Sequence, residues 1–444
     1  MTKLLAAAAL AALLTVPLAP AAPAAAAAPP ACARLSGPPP ASPPPTSVDT
    51  LGQAFFCVLD HYFGGPGLRT QDLLKDAFAA YTRNLQKRGA DVAGLRLPAL
   101  TGDRDADWAA AAGALGAGDP VALRAAIDGM VAGLRDNHAR HDVPEPDDED
   151  NPVGTGIVGA SGISGPGLDP AARPPFFLTE IVEDSPADKA GVRAGDIVQA
   201  IDGVPVWVGG TLNPLVLEQV QQPRFALTLK RPTTGRVRTV KLAVGPLTRP
   251  ERTVRVDDVS GVRHVRLPGF YQGAADEVIA ALRGGPKKVV LDLRGNGGGS
   301  PREVVRLLGA FAHGKVTSYF CGYDGSCTAN RTDDTVPLLG ARLVVLTDRR
   351  CASACEDFSA AVQGNGIAPI VGTRTAGAVS GPASPWLLGD GSIVALPSVR
   401  HLGPGKEIID TVGVPADHQA PTTALDLATG RDPALRKAVA LLNG

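Results

Sequence analysis

Aromatic residues are scarce, at 4% of the chain, whereas Gly and Pro number 52 and 40; the cores must therefore be aliphatic and the chain rich in turns. Net charge is −1 and no long basic tract occurs, which argues against a nucleic-acid partner, since phosphate binding draws on clustered Lys and Arg. Long apolar runs are also missing. The stretch from Leu4 to Val16 is too short to cross ~30 Å of hydrocarbon, so no stable membrane insertion is expected. The cysteine spacings C-x5-C and C-x3-C lack nearby His in the usual finger patterns, and no motif implies a metal or an organic cofactor. Disorder throughout is excluded by the 44% hydrophobic content, and 444 residues suffice for two or three domains.

What is present begins with Met1-Thr2-Lys3, the apolar run, and an Ala/Pro-rich stretch ending in Ala24 to Ala28. Residues 1–28 read as a secretory signal peptide cleaved near Ala28, and a secreted or extracytoplasmic location is expected. Pro17, Pro20 and Pro23 disfavour a buried helix there, and Cys32 has no Leu three residues before it, so no lipoprotein anchor is expected. All six cysteines follow the signal; in an exported chain disulfides are the default. The simplest pairings are 32–57, 321–327 and 351–355, with connectivity open.

Residues 29–47 form a Pro-rich linker. From 48 to 145, apolar residues recur at three- and four-residue intervals, predicting a helical domain with caps at Thr70 and Asp119-Pro120. Residues 153–245 carry short β-type runs between Gly/Pro turns, predicting a small β domain. From 246 to 430, buried strands alternate with helices, predicting an α/β core with a mostly parallel sheet. The fold class is multidomain α+β.

Two segments carry chemistry. LVVLTDRRCASACEDF is an apolar strand, a small-residue turn, and a helix opening near Ser353; a Ser there is exposed beside helix-terminal N–H groups that stabilise an oxyanion, or else is a helix cap. VVLDLRGNGGGS is a strand ending in glycines whose N–H groups are free to face an anion, without the Lys of a P-loop.

LDLRGNGGG (291–299) followed by VLTDRRCASACEDF (345–358) resembles the two signature segments of C-terminal-processing proteases and their tricorn-core relatives. The resemblance covers roughly residues 50–420. It implies a crotonase/ClpP-like core, a polypeptide substrate, Ser353 as nucleophile, and an oxyanion hole from the N–H groups of Ala354 and Gly298. EIVEDSPADKAGVRAGDIVQAIDGVPV (180–206) is similar to the PDZ-type module of these enzymes. The preceding loop, Gly154, Thr155, Gly156 and Ile157, is then a candidate to capture a peptide C-terminus, the alternative being a spacer with a closed groove.

Many members take their base from a Lys in a G-K-G turn, but here VGTRTAGAVSG (371–381) has Ala378 at that position. The tricorn-like and retinoid-binding-protein-like branch uses a His in an L-x-D-x-H pattern, matched by LRDNHAR, so the resemblance implies Ser-His catalysis with His138 as base. KEIIDTVGVPADHQ (406–419) resembles the branch's acidic segment, with Asp410 as the supporting acid and Glu407 as the alternative; Asn137 adds a further hydrogen-bond candidate. The expected function is a secreted serine endopeptidase acting on exported or extracellular polypeptides, selected by their C-termini. The alternative is a non-catalytic peptide- or lipophile-binding protein on the same fold.

Overall fold

The computed structural model describes residues 31–37, 42–144, 153–164, 167–168, 172–220, 222–247 and 253–444. The expected signal segment 1–28, and residues 29–30 and 38–41 of the Pro-rich stretch, lie outside the described residues. No helix among the described residues is long and apolar enough to cross a membrane.

Four helices open the chain: α1 (Val48–His61), α2 (Thr70–Lys87), α3 (Arg104–Leu115) and α4 (Pro120–Ala132). Ser47 and Thr50 form a reciprocal capping box on α1, Asp103 caps α3, and Asp119 accepts the Ala122 N–H ahead of Pro120 in α4, each satisfying N–H groups left over by helix geometry. Thr70 is not a cap. It is the first residue of α2, and its hydroxyl donates to buried Asp107 at 2.6 Å. Helices α2 and α4 touch backbone to backbone at Gly129, where a Cβ would stand 2.3 Å from the Ala80 Cβ.

The helical block does not close its own core. Leu51, Phe55, Leu74, Ile127 and Met130 pack with Leu388, Val394 and Leu396, which arrive from far along the chain. These last residues belong to or flank a four-stranded sheet ordered Ala33–Arg34, Ala383–Leu387, Ile393–Pro397, Arg140–Asp142. Residues 383–397, which the sequence pattern assigns to the α/β core, thus complete the helical unit.

The β domain packs Leu178, Val198, Leu227, Leu229 and Leu242 between its strands, the longest being Arg224–Lys230 and Val237–Ala243 in antiparallel register. Asp196, 1% exposed, is held by Arg231 and Arg238, as a buried carboxylate requires. A hydrogen bond of 2.9 Å from Arg350 to Glu180 joins this domain to the loop before Ser353.

The remaining strands form one sheet ordered Arg255–Val259, Val262–Arg266, Lys288–Asp292, Arg342–Thr347, Ile370–Gly372, His418–Gln419, parallel from the second strand onward. Alternate residues face opposite sides. Val289, Leu291 and Val345 meet the helices Ala274–Leu282, Pro301–Gly309 and Ala354–Gly364. Val290, Val344 and Leu346 meet Ala434, Ala438 and Leu442 of the helix Pro433–Asn443. The core therefore runs past residue 430, and both faces are covered, which explains the continuous apolar strands. The loop 293–300 and the turn 348–353 leave the C-terminal ends of neighbouring strands, where sites form in such sheets.

Close contact at Gly129 aligns the end of α4, so Gly129→Val is expected to destabilise the protein by about 1–3 kcal/mol through overpacking. Thermal unfolding checks this; an unchanged melting temperature would contradict it.

Candidate active site

Ser353 stands at the N-terminus of the helix Ala354–Gly364 with φ 55° and ψ −121°, and its side chain caps nothing. A non-glycine residue in that region is strained and persists only where its surroundings fix it. Here the Ser353 N–H donates to the Ala378 carbonyl at 3.0 Å, and the Ser353 carbonyl accepts the N–H groups of Glu356 and Asp357. The Ala378 segment is clasped in turn by Glu356, fully buried, which accepts from Thr375 Oγ1 at 2.5 Å, Gly377 N–H at 2.6 Å and Ala378 N–H at 2.7 Å. Burial raises the Glu356 pKa, against these donors, which favour its charged form. A disulfide joins Cys351 to Cys355 across the turn, with Cα atoms 5.4 Å apart. Cys32–Cys57 and Cys321–Cys327 are also paired, which matches the simplest connectivity.

The glycine loop lies directly against this turn. Asn296, fully buried, accepts the Ala352 N–H through its carbonyl at 3.1 Å and donates through its side chain to the Leu267 carbonyl at 3.1 Å. Gly298 has φ +104°, and a Cβ there would sit 2.7 Å from the Ser353 Cβ, so only glycine allows this approach. The expected donor on Gly298 is engaged: its N–H points to Asn296 Oδ1 at 2.9 Å. The N–H groups of Ala354 and Gly299 make no hydrogen bond among the described residues, and both residues line the cavity at Ser353. At the root of the loop, burial opposes ionisation of Asp292. Hydrogen bonds from Arg294 and His264 outweigh it and hold the carboxyl well below the usual range.

His138 follows α4 by a short turn, and its Nε2 lies 3.1 Å from Ser353 Oγ across 215 residues of sequence. Its Nδ1 lies 2.6 Å from Asn137 Oδ1, and Asn137 Nδ2 donates to Asp410 Oδ1 at 2.9 Å. An ionised carboxylate only accepts, so it draws the amide NH2 to itself and turns the amide oxygen to the imidazole. That oxygen in turn places the ring proton on Nδ1 and leaves Nε2 as the acceptor facing Ser353. Asp410 thus reaches His138 through Asn137 rather than directly. Glu407 instead closes its own exposed turn by accepting the Gly405 N–H at 2.8 Å. Asp136 fixes the segment from below, accepting from the His138 N–H at 2.9 Å, Tyr62 at 3.2 Å and Ser380 at 3.1 Å.

Burial lowers the His138 pKa below its ordinary value, with Asp136 pulling the other way. Burial raises that of Asp410, opposed by the Asn137 hydrogen bond and reinforced by Asp136. Lys406 Nζ lies over the Tyr319 ring, 5.1 Å from its centroid. His141 is tied to Asp128 at 2.7 Å and His61 stacks on Trp386.

In the β domain, Gly154 pairs with Gly245 and Ile157 with Ile181, while the N–H groups of Thr155 and Gly156 have no partner among the described residues. Glu356, Asn296 and the Asp136–Tyr62 contact escape a sequence reading. The one available signal is an acid in the first turn of the helix that begins after Ser353, and its partners lie some twenty residues away on backbone atoms.

The profile of peptidase family S41 matches residues 261–420, and that of a PDZ domain matches 177–222. A carboxyl-terminal-processing protease of Picosynechococcus sp. is 30% identical over 287 residues, 61% of this chain and 68% of the relative. Carboxyl-terminal-processing peptidase 2, chloroplastic, of Arabidopsis thaliana is 30% identical, over 67% of this chain and 60% of its own length. A probable CtpA-like serine protease of Staphylococcus haemolyticus is 27% identical, and the chain spans 51% of it. Among solved structures, the photosystem II D1 C-terminal processing protease aligns with TM-score 0.53 at 20% identity, over 89% of this chain and 97% of that one. Mature CPAF complexed with lactacystin aligns with TM-score 0.54 at 13% identity over the same shares. These two likenesses concern the fold.

With the His138 pKa lowered by burial, the neutral imidazole is present down to a pH below the ordinary ~6.5. Turnover (kcat/KM) is therefore expected to rise with pH through a midpoint under that value and then level off; a midpoint above pH 8 would contradict it. If the Cys351–Cys355 bridge holds the turn, replacing both by Ala should lower kcat on the order of tenfold to a hundredfold through misplacement of Ser353, and an unchanged kcat would show the bridge to be idle.

Proposed function

The chain belongs to peptidase family S41 and is a serine peptidase; on that premise we propose that it is an extracytoplasmic endopeptidase working by Ser-His catalysis with Ser353 and His138. The observation that supports this is the 3.1 Å approach of His138 Nε2 to Ser353 Oγ, made where no Lys is available at position 378.

In the reaction, His138 takes the Ser353 proton as Oγ attacks the scissile carbonyl. The oxyanion meets the N–H groups of Ala354 and Gly299, at the positive end of the nucleophile helix. The imidazolium is held by Asn137 Oδ1, whose amide Asp410 orients, the role an acid plays directly in a Ser-His-Asp triad. His138 then protonates the leaving amine, and water repeats the sequence to free Ser353.

Substrate choice by a C-terminal carboxylate is supported by the unpaired N–H groups of Thr155 and Gly156 in the loop beside a PDZ-type core. Action outside the cytoplasm is supported by the N-terminal apolar run and by pairing of all six cysteines.

A serine-reactive fluorophosphonate is expected to label Ser353. Ser353→Ala and His138→Ala should each remove several orders of magnitude of turnover with little loss of stability, whereas Lys406→Ala should stay near normal. Near-normal turnover in His138→Ala, with loss in Lys406→Ala, would overturn the Ser-His assignment. Peptides with a free C-terminal carboxylate should be cleaved in preference to their amides; equal rates would return the β domain to a spacer.

A further inference from the structure

The cavity that opens at Ser353 has a volume of about 140 Å³ and is walled by Phe320, Val379, Asp357 and His401 besides the catalytic groups. Its polar wall is formed by Asp357 and His401. Asp357 lies one turn below Ser353 on the nucleophile helix, and His401 lies on the strand Arg400–Leu402 opposite Phe320. Each is only 3% exposed. Yet among the described residues neither ring nitrogen of His401, nor Oδ1 of Asp357, has a hydrogen-bond partner. His401 Nε2 and Asp357 Oδ1 approach to 3.3 Å, close enough for charge attraction but out of hydrogen-bond alignment. The Phe320 ring, 5.6 Å from that of His401 between centroids, offers it no polar contact.

Buried polar groups are nearly always paired, and an unpaired cluster at a substrate cavity calls for a ligand that pairs it. We infer that Asp357 and His401 select the substrate side chain preceding the scissile bond, the P1 residue, for an uncharged group carrying both a donor and an acceptor: Gln, Asn, Thr or Ser. This rests on the Ser353 peptidase reading. Asp357 Oδ1 can accept, and the His401 imidazole supplies at least one N–H. A carboxamide meets both at once, its NH2 donating to Asp357 and its oxygen accepting from His401, while Phe320 and Val379 cover its methylene stem. An apolar side chain of the same size would leave these groups unpaired. An acidic one would face the Asp357 carboxylate. The cavity, shared with the scissile peptide, has no room for an arginine or a tryptophan side chain.

The test digests a mixed peptide library with the full chain and reads the cleavage sites by mass spectrometry. The best-cut peptide is then remade with Gln against Leu and Thr against Val at P1. Gln is expected to exceed Leu, and Thr to exceed Val, in kcat/KM by about tenfold or more, since a site built for hydrogen bonds rejects analogues lacking them. His401→Phe and Asp357→Leu should erase or invert that ratio while keeping fluorophosphonate labelling of Ser353. A wild-type ratio near or below one, with labelling and cleavage intact, overturns this inference alone. Variants that label normally and keep the preference overturn it too. Absence of labelling and of all cleavage in the wild type overturns the peptidase reading with it. The wild-type ratio decides the matter even where a variant fails to fold.

Discussion

The pairing of Arg140–Asp142 with Ile393–Pro397 is the constraint on which the site depends. It ties the exit of the helical block to a hairpin whose other residues, Leu388, Val394 and Leu396, fill the helical core. The same hairpin follows directly on the 375–382 segment that holds Ser353. One antiparallel register, His141 opposite Val394, therefore fixes His138 relative to Ser353, which stands at the start of a helix packed on a different sheet. A one-residue slip would turn every side chain of that strand to the other face and carry the imidazole away from Ser353.

The second requirement is a serine held in a conformation it would not adopt alone. Its φ of 55° is maintained by the Ala378 carbonyl, the Glu356 clasp and the Cys351–Cys355 bridge, all acting on backbone rather than on the hydroxyl. The side chain caps nothing, and among the described residues the N–H groups of Ala354 and Gly299 make no hydrogen bond. On the other side, Asp410 and Asn137 set the tautomer of His138 without a direct carboxylate contact. Burial lowers the His138 pKa and outweighs the upward pull of Asp136.

Much of this was legible in the chain. Apolar strands such as Lys288–Asp292 and Arg342–Thr347 read as buried because both faces of a parallel sheet are covered, and the Gly-rich and CASAC segments mark the strand ends. Periodicity found the helices, and Asp119-Pro120 marked the start of α4. What stayed hidden depends on long-range pairing. Residues 383–397 alternate like any strand, and nothing local says that they complete the helical unit. The engagement of the Gly298 N–H by Asn296, and the indirect route from Asp410 to His138, are matters of side-chain direction that spacing does not encode. Nothing local in the chain marks the burial of His401, on the strand Arg400–Leu402, beside Asp357.

The central claim is the apposition of His138 and Ser353 at a shared oxyanion site. A crystal structure of the chain after reaction with a fluorophosphonate tests it most directly. Ser-His catalysis here requires the phosphorus on Ser353 Oγ, a phosphoryl oxygen at ~3 Å from the N–H groups of Ala354 and Gly299, and His138 Nε2 within hydrogen-bond reach of the adduct. A label on another residue, or a lysine Nζ at the adduct with His138 turned away, would contradict it.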